Sequence, residues 1–128
     1  MTADEVDQAI NAAFATAWGA TTAIAWDDDP FNSETRTEFV RVSLQHTGGD
    51  LVELTGSMFR RQAVLFIQCF ARKSRALQLG ELAMQIFEAR PSPVPGVRFR
   101  RVGLADVGRE GQFYQVNVSA AVEYDQLR

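Results

Sequence analysis

Residues 113 to 124 keep an unbroken two-residue alternation, with Tyr114, Val116, Val118, Ala120, Val122 and Tyr124 on one face and Phe113, Gln115, Asn117, Ser119, Ala121 and Glu123 on the other. A strand with one dry face and one mostly polar face belongs to an antiparallel sheet covered on one side. The stretch Gly108-Arg109-Glu110-Gly111 ahead of it supplies a tight turn, predicted to span Gly108 to Gln112, with Val97 to Val107 as the other arm of the hairpin. So long a strand in a chain of 128 residues constrains the fold to a sheet with helices packed against it.

The rest of the chain fits that frame. Thr2 and Glu5 form a capping box, and Val6, Ile10, Ala13, Phe14 and Ala17 follow at three- and four-residue spacing, which predicts an amphipathic helix over 3–17 ended by Gly19. Thr21 to Trp26 suits a short strand, and Asp27 to Ser33 is loop by composition. Glu38 to Gln45 alternates with Val40, Val42 and Leu44 inward; a turn at Thr47-Gly48-Gly49-Asp50 then leads to a short return strand over Leu51 to Thr55. Phe59 to Phe70 is apolar almost throughout from Ala63 onward, as in a central strand covered on both faces or covered on one by a neighbouring subunit. Ser74 is placed to cap a second helix reaching Ala89, with Leu79, Leu82, Ala83, Ile86 and Phe87 along one stripe and Gly80 weakening it slightly. Pro91 to Gly96 is a stiff connector. The expected class is α+β: one domain over 1–128, a single mostly antiparallel sheet with two helices against it, in the order α-β-β-β-α-β-β.

Several chemistries lack their residues. Cys69 is the single cysteine and His46 the single histidine, too few for a disulfide or a structural zinc site, so Cys69 reads as a small buried hydrophobe. His46 reads as a solvated turn residue beside Thr-Gly-Gly rather than a catalytic base. Neither a phosphate-binding loop nor a dinucleotide glycine fingerprint occurs, and no cofactor is expected. Asp27, Asp28 and Asp29, joined by Asp50, could offer oxygens to a hard cation, but calcium-loop spacing is missing and a solvated acidic loop is the preferred reading. No apolar run approaches the roughly 18 to 20 residues of a membrane span, and the acidic start Met-Thr-Ala-Asp-Glu is unlike a secretory signal, so a soluble cytosolic product is expected. A ligand pocket between sheet and helices, with Gln68, Tyr114 and Tyr124 as polar groups, would need a buried ionisable group that the sequence does not display.

The net charge of −3 conceals a lopsided distribution: residues 1 to 54 hold ten acids and two bases, and residues 55 to 101 hold nine bases and two acids. Either these blocks mix on folding or each copy carries an acidic and a basic patch, which favours head-to-tail contact between copies. Pro30-Phe31 sets an apolar ring in a polar loop, either folded onto the core or offered to a partner. The candidate contacts are Asp27, Asp28, Asp29 and Phe31 on the acidic side and Arg60, Arg61, Arg98 and Arg100 on the basic side. Arginines interleaved with Phe59, Phe70 and Phe99 also fit a nucleic-acid-binding module, an alternative that the acidic overall charge disfavours.

The loop from Trp26 to Phe31, the lead Gly56-Ser57-Met58-Phe59-Arg60-Arg61 into an apolar strand, the helix from Ser74, and the closing Gly111-Gln112-Phe113-Tyr114-Gln115-Val116 strand occur together and in order. In this the chain resembles the small tail-terminator-like proteins of long-tailed bacteriophages, which include a related phage family of unknown function. The resemblance implies a structural protein with no active site. Its subunits, either ringed already or monomeric until assembled, would form a ring, commonly hexameric, that binds the end of the tail tube and presents its other face to head-side neck proteins. It implies assembly in the host cytoplasm and residence in the virion tail, without membrane contact; nucleic acid would be met only as DNA passing through the ring. The sequence departs from many relatives at Arg72, Lys73 and Arg75, where they have a glycine-rich, more neutral link.

Overall fold

In a computed structural model, described for all residues except 28, 34, 52–57 and 128 and without the side chains of 49–51, 58, 110 and 127, the chain folds as expected in class and order. Helix α1 (Ala3–Trp18) starts at the capping box: Thr2 Oγ1 accepts from the Glu5 amide at 3.2 Å, and Glu5 Oε1 accepts from the Thr2 amide at 3.1 Å. Val6, Ile10, Phe14 and Trp18 form its buried stripe, so Trp18 takes the place expected of Ala17, which is exposed. Gly19 caps the helix at φ +58°, a conformation glycine adopts without steric cost, and its amide donates to Ala15 O.

Strands β1 (Ala23–Trp26), β2 (Phe39–Leu51), β3 (Met58–Ala71), β4 (Val97–Glu110) and β5 (Phe113–Leu127) form one sheet in the order β1-β2-β3-β5-β4, antiparallel except for the parallel β1–β2 pair. Helix α2 (Lys73–Glu88) joins β3 to β4. The strands of 13 to 15 residues from β2 to β5 are roughly 43 to 50 Å long at about 3.3 Å per residue. Each helix has 16 residues and reaches only about 24 Å.

Three expectations need correction. Thr47 to Asp50 is not a turn: β2 runs on to Leu51, and a bulge between His46 and Gly49 absorbs the glycines while pairing with β3 continues. The return strand expected over Leu51 to Thr55 lies largely outside the described residues. Helix α2 begins at Lys73, with Arg72 at its N-cap and no side-chain cap, so Ser74 sits in the first turn; its buried stripe is Ala76, Leu79, Gly80, Ala83 and Phe87, and Leu82 is exposed. The final hairpin turns on Gly111-Gln112 alone, because β4 reaches Glu110 and takes up Gly108 in a second bulge.

The two sheet faces differ. On the helix side, Val40, Val42, Leu65, Ile67, Cys69, Val116, Val118 and Val122 meet both helical stripes in one core, with Phe14 stacked between Trp18 and Phe87. On the far side, Phe39 stacks on Phe70 at 4.6 Å, and Phe113 stands edge-on to both. Phe31 closes over Phe39 at 4.9 Å under the guanidinium of Arg36, so the ring in the polar loop is folded back onto the sheet. Central strand β3 is thus covered along one face, whereas Val64 and Phe66 on the other are only half-buried.

Candidate functional site

The candidate arginines divide into two groups. Arg60 on β3 and Arg98 on β4 flank β5 and converge on its carboxylates. Glu123 Oε1 accepts from Arg98 Nη2 at 3.0 Å and lies 3.3 Å from Arg60 Nε, which also donates to Asp125 Oδ1 at 3.2 Å. These three strands are adjacent and the residues point to the same face, so register alone brings the charges together. Arg61, one residue on, faces the helix side: its Nε donates to Gln126 Oε1 at 3.0 Å and its guanidinium lies over the Phe59 ring.

Arg100 is exposed on the outer edge of β4. It lines a cleft of about 550 Å³ between that strand and the C-terminal end of α2, together with Arg90, Arg98 and Arg101 above Phe87, Val97 and Phe99. Arg90 and Arg101 are not among the contacts expected from the sequence, and no local signal places them beside Arg100. The bulge between Arg100 and Gly103 breaks the alternation, and the connector after α2 returns Arg90 to the strand edge.

Asp27 and Asp29 line a second cleft, of about 520 Å³, with Asp7, Asn11, Trp26, Val42, Ser43 and Leu44. It lies where β1 ends and β2 continues without a partner on that side among the described residues. Asp28 is outside the described residues, as is the side chain of Asp50. Phe31 is turned toward the aromatic cluster on the far face and is not among the residues lining this cleft.

His46 is a strand residue at the β2 bulge, not a turn residue. Its Nε2 is 2.8 Å from Asp7 Oδ1 and its Nδ1 is 3.3 Å from the Tyr124 hydroxyl, tying α1 to two strands. The series carboxylate, imidazole, hydroxyl has the order of a nucleophile with its base. Tyr124, however, is 1% exposed, and burial raises its pKa, with Asp7 adding to the shift and Arg61 opposing it. A hydroxyl that is shielded and held protonated makes a poor nucleophile, so the series serves to anchor the helix. Tyr114 is also shifted upward, by its hydrogen bond to Asp106 first and by desolvation second. Among the described residues, no three His, Cys, Asp or Glu side chains converge as metal ligands, and no helix is long and apolar enough to cross a membrane.

No family model matches this chain, and no curated protein matches it. Among solved structures, one titled only by a serial designation superposes with a TM-score of 0.58 at 15% identity, over 95% of this chain and 96% of that one. At that identity the likeness is one of fold alone.

Proposed function

We propose that this protein is a structural subunit that joins copies of itself edge to edge in a ring of the tail-terminator kind, seated on the end of a phage tail tube and meeting neck proteins on its other face. The observation that carries the reading is the open state of the sheet at both lateral margins. The outer edge of β4 has no strand partner among the described residues, and β2 has none on its outer side beyond Val42, where the four-residue β1 stops. Unpaired edges are ordinarily kept short or covered. Two long ones on opposite sides of one sheet suit a heterologous contact, which closes into a ring when the rotation between copies allows it. The order of elements and the resemblance in the loop, strand lead and closing hairpin support the same reading.

Sedimentation across protein concentration and ionic strength tests it. The expected outcome is a discrete oligomer at low salt that dissociates as the screening length shrinks below about 8 Å. A single copy at every concentration and salt, with no binding to tail-tube protein, would sink the proposal.

A further inference from the structure

The two margins carry clefts of opposite charge whose heights on the sheet meet at the Arg100 end. At the β4 margin, Arg90, Arg100 and Arg101 outnumber Glu88 in the basic cleft, and no carboxylate of the described residues forms an ion pair with any of the three. Arg101 is the one non-glycine residue with positive φ among the described residues, at +53°, in the bulge between Arg100 and Gly103. That conformation is strained for an L-residue, and a bulge re-aims the side chain it carries. Retained strain of this sort gathers at functional positions. At the other margin, Asp7, Asp27 and Asp29 line the acidic cleft beside Trp26 and Leu44.

Register aligns the two. Leu44 of the acidic cleft pairs with Leu65, which pairs with Ala120; the next residue of β5, Ala121, pairs with Arg100, and the Arg101 bulge follows. A line drawn across the sheet from one cleft therefore ends in the other. We infer that the basic cleft of one copy receives the β1–β2 margin of a second copy, with Arg100 and Arg101 set against Asp29 and Asp27. The inference rests on the self-assembly proposed above and names its contact. Contact at equal height joins copies with little axial offset, the condition under which a head-to-tail interface closes instead of growing a filament.

A charge swap tests the contact. Arg100→Glu with Arg101→Glu in one variant, and Asp27→Lys with Asp29→Lys in another, should each weaken self-association by about a hundredfold or more, since like charges then face each other. An equimolar mixture should reassemble, because each mismatched margin finds its opposite in the other variant. Arg90→Glu, away from the bulge, should weaken association in the same direction, and circular dichroism establishes that every variant is folded. If the wild type assembles and the folded variants assemble equally well, or if the mixture of folded variants stays dissociated, the contact is wrong while ring formation stands. A wild type that never self-associates sinks the contact, and one that also fails to bind tail-tube protein sinks the proposed function with it. A lone copy that binds single-stranded oligonucleotide, and loses that binding on reversal of Arg100 and Arg101, would assign the cleft to phosphate and overturn the inference.

Discussion

Cys69 shows how one residue reports on the whole core. It lies near the C-terminal end of β3 with no exposed surface, and burial pushes its thiol up from an ordinary 9.0 to about 12. The thiolate is the reactive form, so the native protein is expected to resist thiol reagents at mildly alkaline pH and to react fully once unfolded in denaturant. Rapid labelling of the native state would show that the sheet and helices do not close over this position. The sequence made the residue's character legible, because a lone cysteine in an apolar run has few other readings. His46 was misread for the opposite reason. Its bonds reach Asp7 and Tyr124, 39 and 78 residues away, and nothing in Gln45-His46-Thr47 announces either partner.

At the scale of elements, signals carried by neighbouring residues were read correctly. The Thr2–Glu5 capping box, the stripe of α1 and the alternation of β5 are periodic over a few residues and need no tertiary context. Bulges were not legible. Gly48-Gly49 and Asp50 have the composition of a turn, yet pairing with β3 on the far side of the bulge carries the strand through. Gly80 gains its explanation only from packing. A Cβ there would stand 2.7 Å from Leu104 Cδ1 and 3.1 Å from Val116 Cγ1, so glycine lets α2 settle closely on the β4–β5 pair. Gly80→Val is expected to destabilise the fold by about 1 to 3 kcal/mol through overpacking. Gly80→Ala should lie nearer neutral, as about 1 kcal/mol of helix propensity offsets a displaced Leu104 methyl. Denaturant unfolding of the pair checks this, and a Val variant as stable as the Ala variant would mean that the helix stands further from the sheet.

For the whole molecule, the charge blocks both mix and stay apart. Arg60 and Arg98 meet Glu123 and Asp125, and Arg75 meets Glu38 at 2.8 Å, while Arg90, Arg100 and Arg101 hold one margin and Asp29 lines the cleft at the other. Exposed ion pairs of the first kind contribute little, about 0 to 1 kcal/mol each, so high salt should loosen assembly more than the fold. Alkali should act on the fold itself. Cys69, Tyr114 and Tyr124 are all shifted upward in the native state, so the unfolded chain releases these protons first. Their contribution to stability is whole below about 9, where the unfolded thiol begins to ionise, and falls as pH rises toward about 12. Unfolding free energy measured across that interval is expected to decline, and more steeply for the wild type than for Cys69→Ala; equal slopes would show that the thiol is not desolvated.

The division between what was readable in advance and what was not follows from the range of the forces involved. Capping and hydrophobic period are properties of a few adjacent residues, so the sequence alone determined the α+β class, the order of elements and the dry face of β5. Strand order and register then decided which charges met: Arg60 reaches a carboxylate 65 residues away, and Arg98 one 25 residues away. Arg100 differs from Arg98 by two positions and shares its face, but stands at the level of Ala121, where β5 offers no carboxylate. Only folding could separate the arginine whose field is cancelled within the chain from the one left to face outward.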